Sequence, residues 1–145
     1  MALNIRFHEV ALSICQLPHG SGVPIGVLSQ PFTYFFRTQD EATLICPTGL
    51  VPQNSRAEHG FIPFELVGPF EFHLTGILLQ VANPLADAGI SIVALSTFTT
   101  DFVLIKADHR NRAIETLRDA GHTIQESPLG RTPGRGRPRA VDRTT

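Results

Sequence analysis

The chain has 145 residues, 42% of them hydrophobic, a size that suits one ordinary domain or two very small ones. Its formal net charge of −1 combines an acidic body with a basic end, because residues 1–130 hold seven Lys or Arg and twelve Asp or Glu, whereas residues 131–145 hold five Arg and one Asp. No apolar run approaches the ~18 residues that span a bilayer and no N-terminal signal pattern is present, so we expect a soluble, cytoplasmic protein without membrane contact.

The N-terminal half predicts short strands and very short helices. Strands are predicted where apolar and aromatic residues cluster, at residues 12–17, 32–37 and 42–46. The polar run at 38–41 is typical of a hairpin turn between the last two strands. Two candidate helices are each about one turn long, at residues 24–29 and 47–51.

A strand and an amphipathic helix are predicted to follow. The strand covers residues 61–72, and apolar residues recur at helical spacing over 75–88. Thr75 is the predicted N-cap of this helix and Gly89 its left-handed end. Pro84 lacks the backbone N–H that continues a helix, so we expect a kink or a short break just before it.

Residues 90–106, ISIVALSTFTTDFVLIK, contain two apolar runs around a short polar segment. This pattern predicts two strands joined by a polar tip. Because both runs are apolar on successive residues, both strands are predicted to be buried on both faces in the middle of a sheet. The tip presents hydroxyls and one carboxylate, from Ser96, Thr97, Thr99, Thr100 and Asp101.

A second helix and a last strand complete the pattern. Asp108 is the predicted N-cap and Gly121 the end of a helix whose apolar stripe is Ala113, Ile114, Leu117 and Ala120. The last strand is predicted at residues 122–126. The order strand, helix, strand, strand, helix, strand predicts an α+β protein with the ferredoxin-like βαββαβ topology.

Catalytic and metal-binding patterns are absent from the sequence. Six histidines are scattered without the spacing of metal sites, and there is no nucleophile elbow or phosphate-binding loop. Cys15 and Cys46 fall inside predicted strands and are expected to be buried, reduced thiols. We therefore predict neither an enzyme nor a bound metal or cofactor.

A small-ligand site is the more promising interpretation of the polar residues. Thr75, Gly76 and Ile77 open a helix, where free N–H groups can receive a carboxylate. Asp101 could pair with an ammonium or guanidinium group, next to the hydroxyls of the hairpin tip. The alternative is structural: Thr75 caps its helix, Gly76 packs tightly and Asp101 stabilises the turn. From spacing alone, the structural alternative is slightly favoured.

Three segments together resemble the ACT-domain family. They are GPFEFHLTGIL at 68–78, PLADAGISI at 84–92 and LSTFTTDFVLIK at 95–106, and the resemblance covers roughly residues 61–126. It is strongest for the branch similar to cytosolic arginine sensors and aspartate-kinase regulatory domains. It implies two ACT-like units in tandem: a degenerate unit at 1–60 and an ACT domain at 61–130. Residues 131–145 contain Gly, Pro, Arg and Thr with little apolar surface to bury, so their composition predicts a disordered basic tail.

The resemblance also implies non-catalytic binding of a free amino acid at an interface between two units. Because the first unit lacks a clear copy of the STFxTD hairpin, an equivalent second pocket is not expected there. Carried onto this sequence, the implied ligand site consists of Thr75, Gly76, Ile77, Gly89, Ile90, Ser96, Thr97, Phe98, Thr100 and Asp101.

Partners follow from the same reasoning. No catalytic domain accompanies the module, so a regulated target would be a separate protein or the chain's own homo-oligomer. One alternative is a scaffold that oligomerises or contacts proteins without a ligand. Another is weak binding of DNA in the minor groove, since Arg135-Gly136-Arg137-Pro138 has the composition of an AT-hook. The acidic body would repel phosphate, so DNA binding is disfavoured.

Overall fold

The computed structural model describes residues 1–71 and 75–126. Within these ranges eight strands form one hydrogen-bonded sheet with three helices beside it. The strands are β1 Asn4–Phe7, β2 Leu12–Gln16, β3 Tyr34–Arg37, β4 Ala42–Pro47, β5 Arg56–Leu66, β6 Val93–Ser96, β7 Asp101–Lys106 and β8 Thr123–Glu126. The helices are α1 Ile25–Leu28, α2 Leu79–Asp87 and α3 Arg110–Asp119, and single 3-10 turns lie at Thr48–Leu50 and Ala107–His109.

The long strand β5 is shared by two regions of the sheet. Its first half pairs with β2, which continues through β4 to β3. Its second half pairs antiparallel with β7 on one side and with β1 on the other. The predicted boundary between residues 60 and 61 falls inside β5, so one continuous strand joins the two regions. The tandem arrangement implied by the resemblance stays a prediction.

The α+β ferredoxin-like fold is confirmed, with one addition to its sheet. The unit made of β5, α2, β6, β7, α3 and β8 has the expected βαββαβ order. The N-terminal strand β1 lies between β5 and β8, antiparallel to β5 and parallel to β8. A short strand of the N-terminal half therefore completes the sheet of the C-terminal half.

The main core lies between this sheet and helices α2 and α3. Phe7 and Phe64 are fully buried on the sheet, with ring centroids 4.9 Å apart. Val81 and Leu85 of α2 and Leu117 of α3 are fully buried against them. The opposite face of the sheet contributes to a second cluster, in which Leu104 of β7 packs with Leu12 of β2 and Ile45 of β4. Packing of side chains on this second face thus joins the two regions that share β5.

Most predicted elements exist, although several of their ends differ. The three N-terminal strands, the turn at 38–41 and the two one-turn helices are confirmed with shifts of one or two residues at their ends. The strand predicted at 61–72 instead spans Arg56–Leu66, and position 72 lies outside the described residues. The strand starts earlier because residues 56–61 pair with β2, a long-range contact that local composition does not reveal.

The helix predicted at 75–88 begins at Leu79, so the prediction that Thr75 caps it was wrong. Gly76 has φ +78, a left-handed conformation that no first turn of a right-handed helix can contain. Leu78 is the N-cap and makes no side-chain capping bond. The left-handed end at Gly89 is confirmed by its φ of +73.

Of the two outcomes predicted near Pro84, a kink or a short break, the break does not occur, since α2 runs through Pro84 to Asp87. Pro84 cannot donate to the carbonyl of Gln80. The imidazole Nε2 of His122 lies 2.9 Å from that carbonyl oxygen and takes the place of the missing N–H. His122 was predicted to open the last strand, but it is buried just before β8, which begins at Thr123.

The prediction that both hairpin strands are buried on both faces is correct only for β7. β7 pairs with β5 and β6 and has three consecutive buried residues. Among the described residues β6 pairs with β7 alone, and it alternates between half-buried and exposed residues. β6 begins at Val93 because Ile90 turns into the helical core instead of joining the strand. The residues of the apolar run at 90–95 therefore pack in two different environments: Ile90 in the core beside the helices, and the residues from Val93 onward in strand β6.

The second predicted helix also starts differently. Asp108 lies in the 3-10 turn that precedes α3, and the N-cap of α3 is His109, without a side-chain capping bond. Ala113, Ile114 and Leu117 are buried as predicted, but Ala120 is exposed at the C-cap. None of the helices in the described ranges combines the length and apolar character needed to cross a membrane.

Cys15 and Cys46 are free, fully buried thiols, as predicted. Burial, reinforced by the neighbouring Cys15 thiol, raises the pKa of Cys46 from 9.0 to about 11. The unfolded chain therefore loses this proton near pH 9 while the folded chain keeps it. Because the folded pKa is raised, the contribution to stability is complete below pH 9 and is lost as pH rises toward 11.

Between pH 8 and pH 10.5, we expect the free energy of unfolding to fall by about 2 kcal/mol more in the wild type than in Cys46→Ala. The difference follows from about 1.4 kcal/mol of stability for each pH unit by which folding raises the pKa. Urea unfolding under reducing conditions at both pH values measures this difference. Cys15, whose pKa burial also raises, is present in both proteins, although it loses its hydrogen bond with Cys46 in the variant. An equal loss in the two proteins would show that Cys46 does not carry the pH dependence.

Candidate ligand-binding site

A cavity of about 330 Å³ lies between the tip of the β6–β7 hairpin and the residues that precede α2. Seven of the ten predicted site residues line it: Gly76, Ile77, Ser96, Thr97, Phe98, Thr100 and Asp101. Four further lining residues were not among the ten, although Thr99 was predicted to lie in the polar tip: Phe70, Glu71, Leu78 and Thr99. The cavity is large enough for a small metabolite.

The other three predicted site residues lie elsewhere. Thr75 adjoins Gly76 but does not line the cavity. Gly89 and Ile90 follow the far end of α2, a helix of nine residues and therefore about 13 Å long. Ile90 is only 3% exposed and belongs to the core. The structure therefore gathers the helix-start and hairpin residues around one cavity and separates the helix-end residues from it.

Hydrogen bonds within the hairpin fix the tip that forms one wall. The Thr97 N–H donates to the Thr100 carbonyl at 2.8 Å, and the Thr97 hydroxyl lies 3.2 Å from the Thr100 backbone N. Ser96 and Asp101 are cross-strand partners, and the Ser96 hydroxyl donates to Asp101 Oδ1 at 2.5 Å. Asp101 therefore stabilises the hairpin through Ser96, and one of its carboxylate oxygens is engaged.

Two further bonds attach the tip to the end of β5. The Thr100 hydroxyl donates to the Leu66 carbonyl, and the Phe70 N–H donates to the Thr99 carbonyl at 2.8 Å. Gly68 allows this approach, since a Cβ at this position would lie 2.7 Å from the Thr99 oxygen and 2.9 Å from the Phe70 nitrogen. These contacts explain why Phe70 and Glu71 join the cavity wall.

The charged residues that line the cavity within the described ranges are Glu71 and Asp101, both acidic. Asp101 is half-buried and Glu71 is exposed. Across the cavity, Gly76 faces open space, because no atom of the described residues lies within 4 Å of where its Cβ would be. An acidic wall opposite a segment of accessible backbone can hold a small molecule that carries both a cationic group and hydrogen-bond acceptors.

A serine and a histidine also meet outside this cavity, a contact that the sequence interpretation missed. The Ser13 hydroxyl lies 2.7 Å from His59 Nδ1 and 2.9 Å from the Thr48 hydroxyl. Ser13 is fully buried, so a substrate cannot reach its oxygen and the contact is structural. Ser13 and His59 lie far apart in sequence on paired strands, so no local motif identifies them. Among the described residues, no three His, Cys, Asp or Glu side chains are grouped as metal ligands.

Comparison with known proteins agrees with this architecture. Residues 56–119 match the model of the family described as the ACT domain. The crystal structure of an Agobacterium tumefaciens protein is 29% identical, with a TM-score of 0.81 over 88% of this chain and 95% of that one. A search of curated proteins found no significant match.

Two more distant structures share the fold. The aspartokinase alpha and beta subunits are 16% identical, with a TM-score of 0.62 over 83% of this chain and 99% of that one. The regulatory subunit of aspartate kinase from Thermus flavus is 10% identical, with a TM-score of 0.60 over the same shares of the two chains.

Proposed function

We propose that this protein, whose residues 56–119 match the ACT-domain model, is a cytoplasmic regulatory module that binds a free amino acid without catalysis and acts on a partner protein. The observation that carries the proposal is the acidic, hydroxyl-lined cavity at the hairpin tip. Its 330 Å³ lies at the small end of the range for ligand pockets. The Thermus flavus neighbour is a regulatory subunit, which supports a regulatory role for this chain as well.

The cavity offers complementary groups for the two ends of an amino acid. The oxygen of Asp101 that Ser96 does not occupy is placed to accept a hydrogen bond from an α-ammonium group. The backbone of residues 76–78 leads into α2, where the positive end of the helix dipole favours a carboxylate. Both walls come from one chain, so the ligand would bridge the hairpin tip and the start of the helix.

A bridging ligand would change the surface that a partner meets. Phe98 at the hairpin tip is 80% exposed, and Leu79 at the start of α2 is 56% exposed. These two apolar side chains belong to the two elements that the ligand would join. We expect ligand binding to fix their relative positions and so to alter the affinity for a partner protein.

The test begins with a thermal-shift screen of the twenty amino acids at millimolar concentration. A ligand at 100 times its dissociation constant stabilises the protein by about 2.7 kcal/mol, which raises the melting temperature by several degrees. Asp101→Asn should then weaken binding of the active amino acid by about 1.5–3 kcal/mol, the range for hydrogen bonds to charged groups. Asp87→Asn, an exposed carboxylate outside the cavity, is the matched control and should bind normally.

Two results would contradict the proposal. If none of the twenty amino acids shifts the melting transition, the chain does not act as an amino-acid sensor. If Asp101→Asn binds normally but melts early, Asp101 serves only the hairpin through its bond to Ser96.

A scaffold without a ligand is the second candidate function. Two features favour it: the exposed side chains of Phe98 and Leu79, and the edge of β6 that no described strand covers. An apolar surface beside a strand edge can contact a second copy or another protein. Light scattering that finds a monomer at high micromolar concentration, together with a positive ligand screen, would exclude the homo-oligomeric form of this alternative.

A further inference from the structure

A second cavity, of about 330 Å³, lies on the face of the sheet opposite α2 and α3. Its floor consists of Leu12, Ile45 and Leu104, the buried members of the hydrophobic cluster on that face. Each of these three side chains is at most 6% exposed. The cavity therefore has a buried apolar floor and is more than a depression between exposed side chains.

Strands from both ends of the sheet form the walls of this apolar cavity. Tyr34 lies on β3 and Leu95 on β6, and these strands are the two ends of the order β3-β4-β2-β5-β7-β6. In a flat sheet, five steps of about 4.8 Å would separate the two end strands by about 24 Å. That distance is far greater than the width of a compact cavity of about 330 Å³. The sheet therefore curls, and side chains from its two ends line the same space.

Phe32 adds a further wall and has an unusual backbone conformation. Its φ is +59, a left-handed value that is rare for a bulky residue and costs free energy. The Thr33 hydroxyl donates to the Gln30 carbonyl at 2.8 Å and closes the turn that holds this conformation. The Phe32 ring contacts the imidazole of His8, with centroids 5.1 Å apart, and the ring of Phe102, at 6.4 Å. A strained turn and two ring contacts thus hold an aromatic side chain at the cavity.

The chemistry of the lining favours an uncharged aromatic ligand. None of the eleven described residues that line the cavity carries a charge, and three are aromatic: Phe32, Tyr34 and Phe102. Burial of an ion without a partner is costly, whereas aromatic rings pack favourably against one another. An apolar cavity of about 150 Å³ accommodates benzene. A cavity of about 330 Å³ can therefore hold a molecule with two fused rings.

We propose that this apolar cavity is a binding site for a neutral, planar aromatic molecule of about two fused rings. The ligand lies on the floor of Leu12, Ile45 and Leu104, and the Phe32 ring packs against it. The site goes beyond the proposed function, because its lining offers no ionic partner to the charged groups of a free amino acid. Among the described residues, this cavity and the hairpin-tip cavity of the candidate site share only Thr97.

The experiment uses indole, a neutral two-ring molecule, as the probe. The chain contains no tryptophan, so indole fluorescence excited where tyrosine does not absorb reports the probe alone. Titration of full-length protein into indole should shift the emission to shorter wavelength as the ring leaves water. Indole-3-carboxylate has the same ring with a negative charge and should bind roughly 10-fold or more weakly.

Two substitutions test the lining, each with a matched control. Phe32→Gly removes the ring, and glycine suits a φ of +59, so the variant should fold and bind indole roughly 10-fold more weakly. Phe36→Ala removes an exposed ring of β3 outside the cavity and should bind normally. Leu95→Glu places a carboxylate in the wall and should abolish binding. Ala94→Glu, at an exposed neighbour outside the cavity, should not.

The proposal is overturned if wild-type protein does not shift the indole emission, or if indole-3-carboxylate binds as tightly as indole. It is also overturned if either Phe32→Gly or Leu95→Glu, shown by thermal melting to be folded, binds indole as tightly as its control. Asp101→Asn should leave indole binding unchanged, so failure of this site is distinguishable from failure of the hairpin-tip cavity. Loss of indole binding in Asp101→Asn would place the probe at the hairpin tip and would also overturn the proposal.

Discussion

Replacing His122 with alanine is expected to lower the free energy of unfolding by about 2–6 kcal/mol, because it leaves two buried backbone groups without partners at about 1–3 kcal/mol each. His122 is only 6% exposed. Its Nδ1 accepts the Leu3 N–H at 3.1 Å, which places the ring proton on Nε2, and Nε2 then donates to the Gln80 carbonyl at 2.9 Å. One imidazole thus joins the N-terminal segment to the first turn of α2.

Single-sided replacements can divide this loss between the two bonds. Asparagine can place an acceptor near the position of Nδ1 and keep the bond to Leu3, whereas glutamine can reach toward Gln80 and keep the donor. We expect His122→Asn and His122→Gln each to recover part of the stability that alanine loses. Urea unfolding of the three variants measures the two contributions.

A double-mutant cycle with Pro84→Ala identifies the helix partner. Alanine at position 84 restores a backbone N–H that can donate to the Gln80 carbonyl. The cost of His122→Ala should therefore be smaller by about 1 kcal/mol or more in the Pro84→Ala background, the order of magnitude of one hydrogen bond. Strictly additive losses would show that His122 does not compensate for the proline.

Gly68→Ala is expected to destabilise the protein by about 1–3 kcal/mol, the usual cost of forcing atoms into a packed position. The new Cβ would lie 2.7 Å from the carbonyl oxygen of Thr99 and 2.9 Å from the backbone nitrogen of Phe70. Both are main-chain atoms, so relief requires the hairpin tip to move away from the end of β5. That movement would break the bond from Phe70 to Thr99 and open the wall of the cavity.

The hairpin-tip cavity should therefore lose amino-acid affinity in Gly68→Ala. Gly22→Ala is the matched control, because no described atom lies within 4 Å of the Cβ it would add. Thermal melting and binding of the same amino acid to both variants provide the comparison. If Gly68→Ala binds and melts like Gly22→Ala, the tip is not held as tightly against β5 as its geometry indicates.

Elements whose structure depends on residues close together in the chain could be predicted from the sequence. The polar tip between two apolar runs located the hairpin, and the helical spacing over 75–88 predicted the helix whose Val81 and Leu85 are buried in the core. The start of α2 was misplaced because Thr75 is a suitable cap by residue type, while the left-handed conformation of Gly76 is visible only in the structure. A glycine close after a cap residue is compatible with either outcome.

Features that depend on distant contacts were not accessible from the sequence. β1 lies between β5 and β8, and its pairing with β8 joins residues more than one hundred positions apart. The four residues of β1 contain no sequence pattern from which their neighbours in the sheet could be predicted. Phe70 and Glu71 reach the cavity only because the hairpin tip binds the segment after β5. The basic segment at 131–145, with its Arg-Gly-Arg-Pro motif, lies outside the described residues.

The position of β1 has a consequence for the order in which the protein folds during synthesis. Residues 4–7 leave the ribosome more than one hundred residues before residues 123–126, which are one of their two neighbours in the sheet. A nascent chain can pair β1 with β5 early, but the parallel edge of β1 remains open until α3 and β8 have emerged. Pairing across so large a sequence separation is slow to form. We expect the C-terminal half to gain its full stability only in a late step, when β8 covers that edge and His122 reaches the backbone of Leu3.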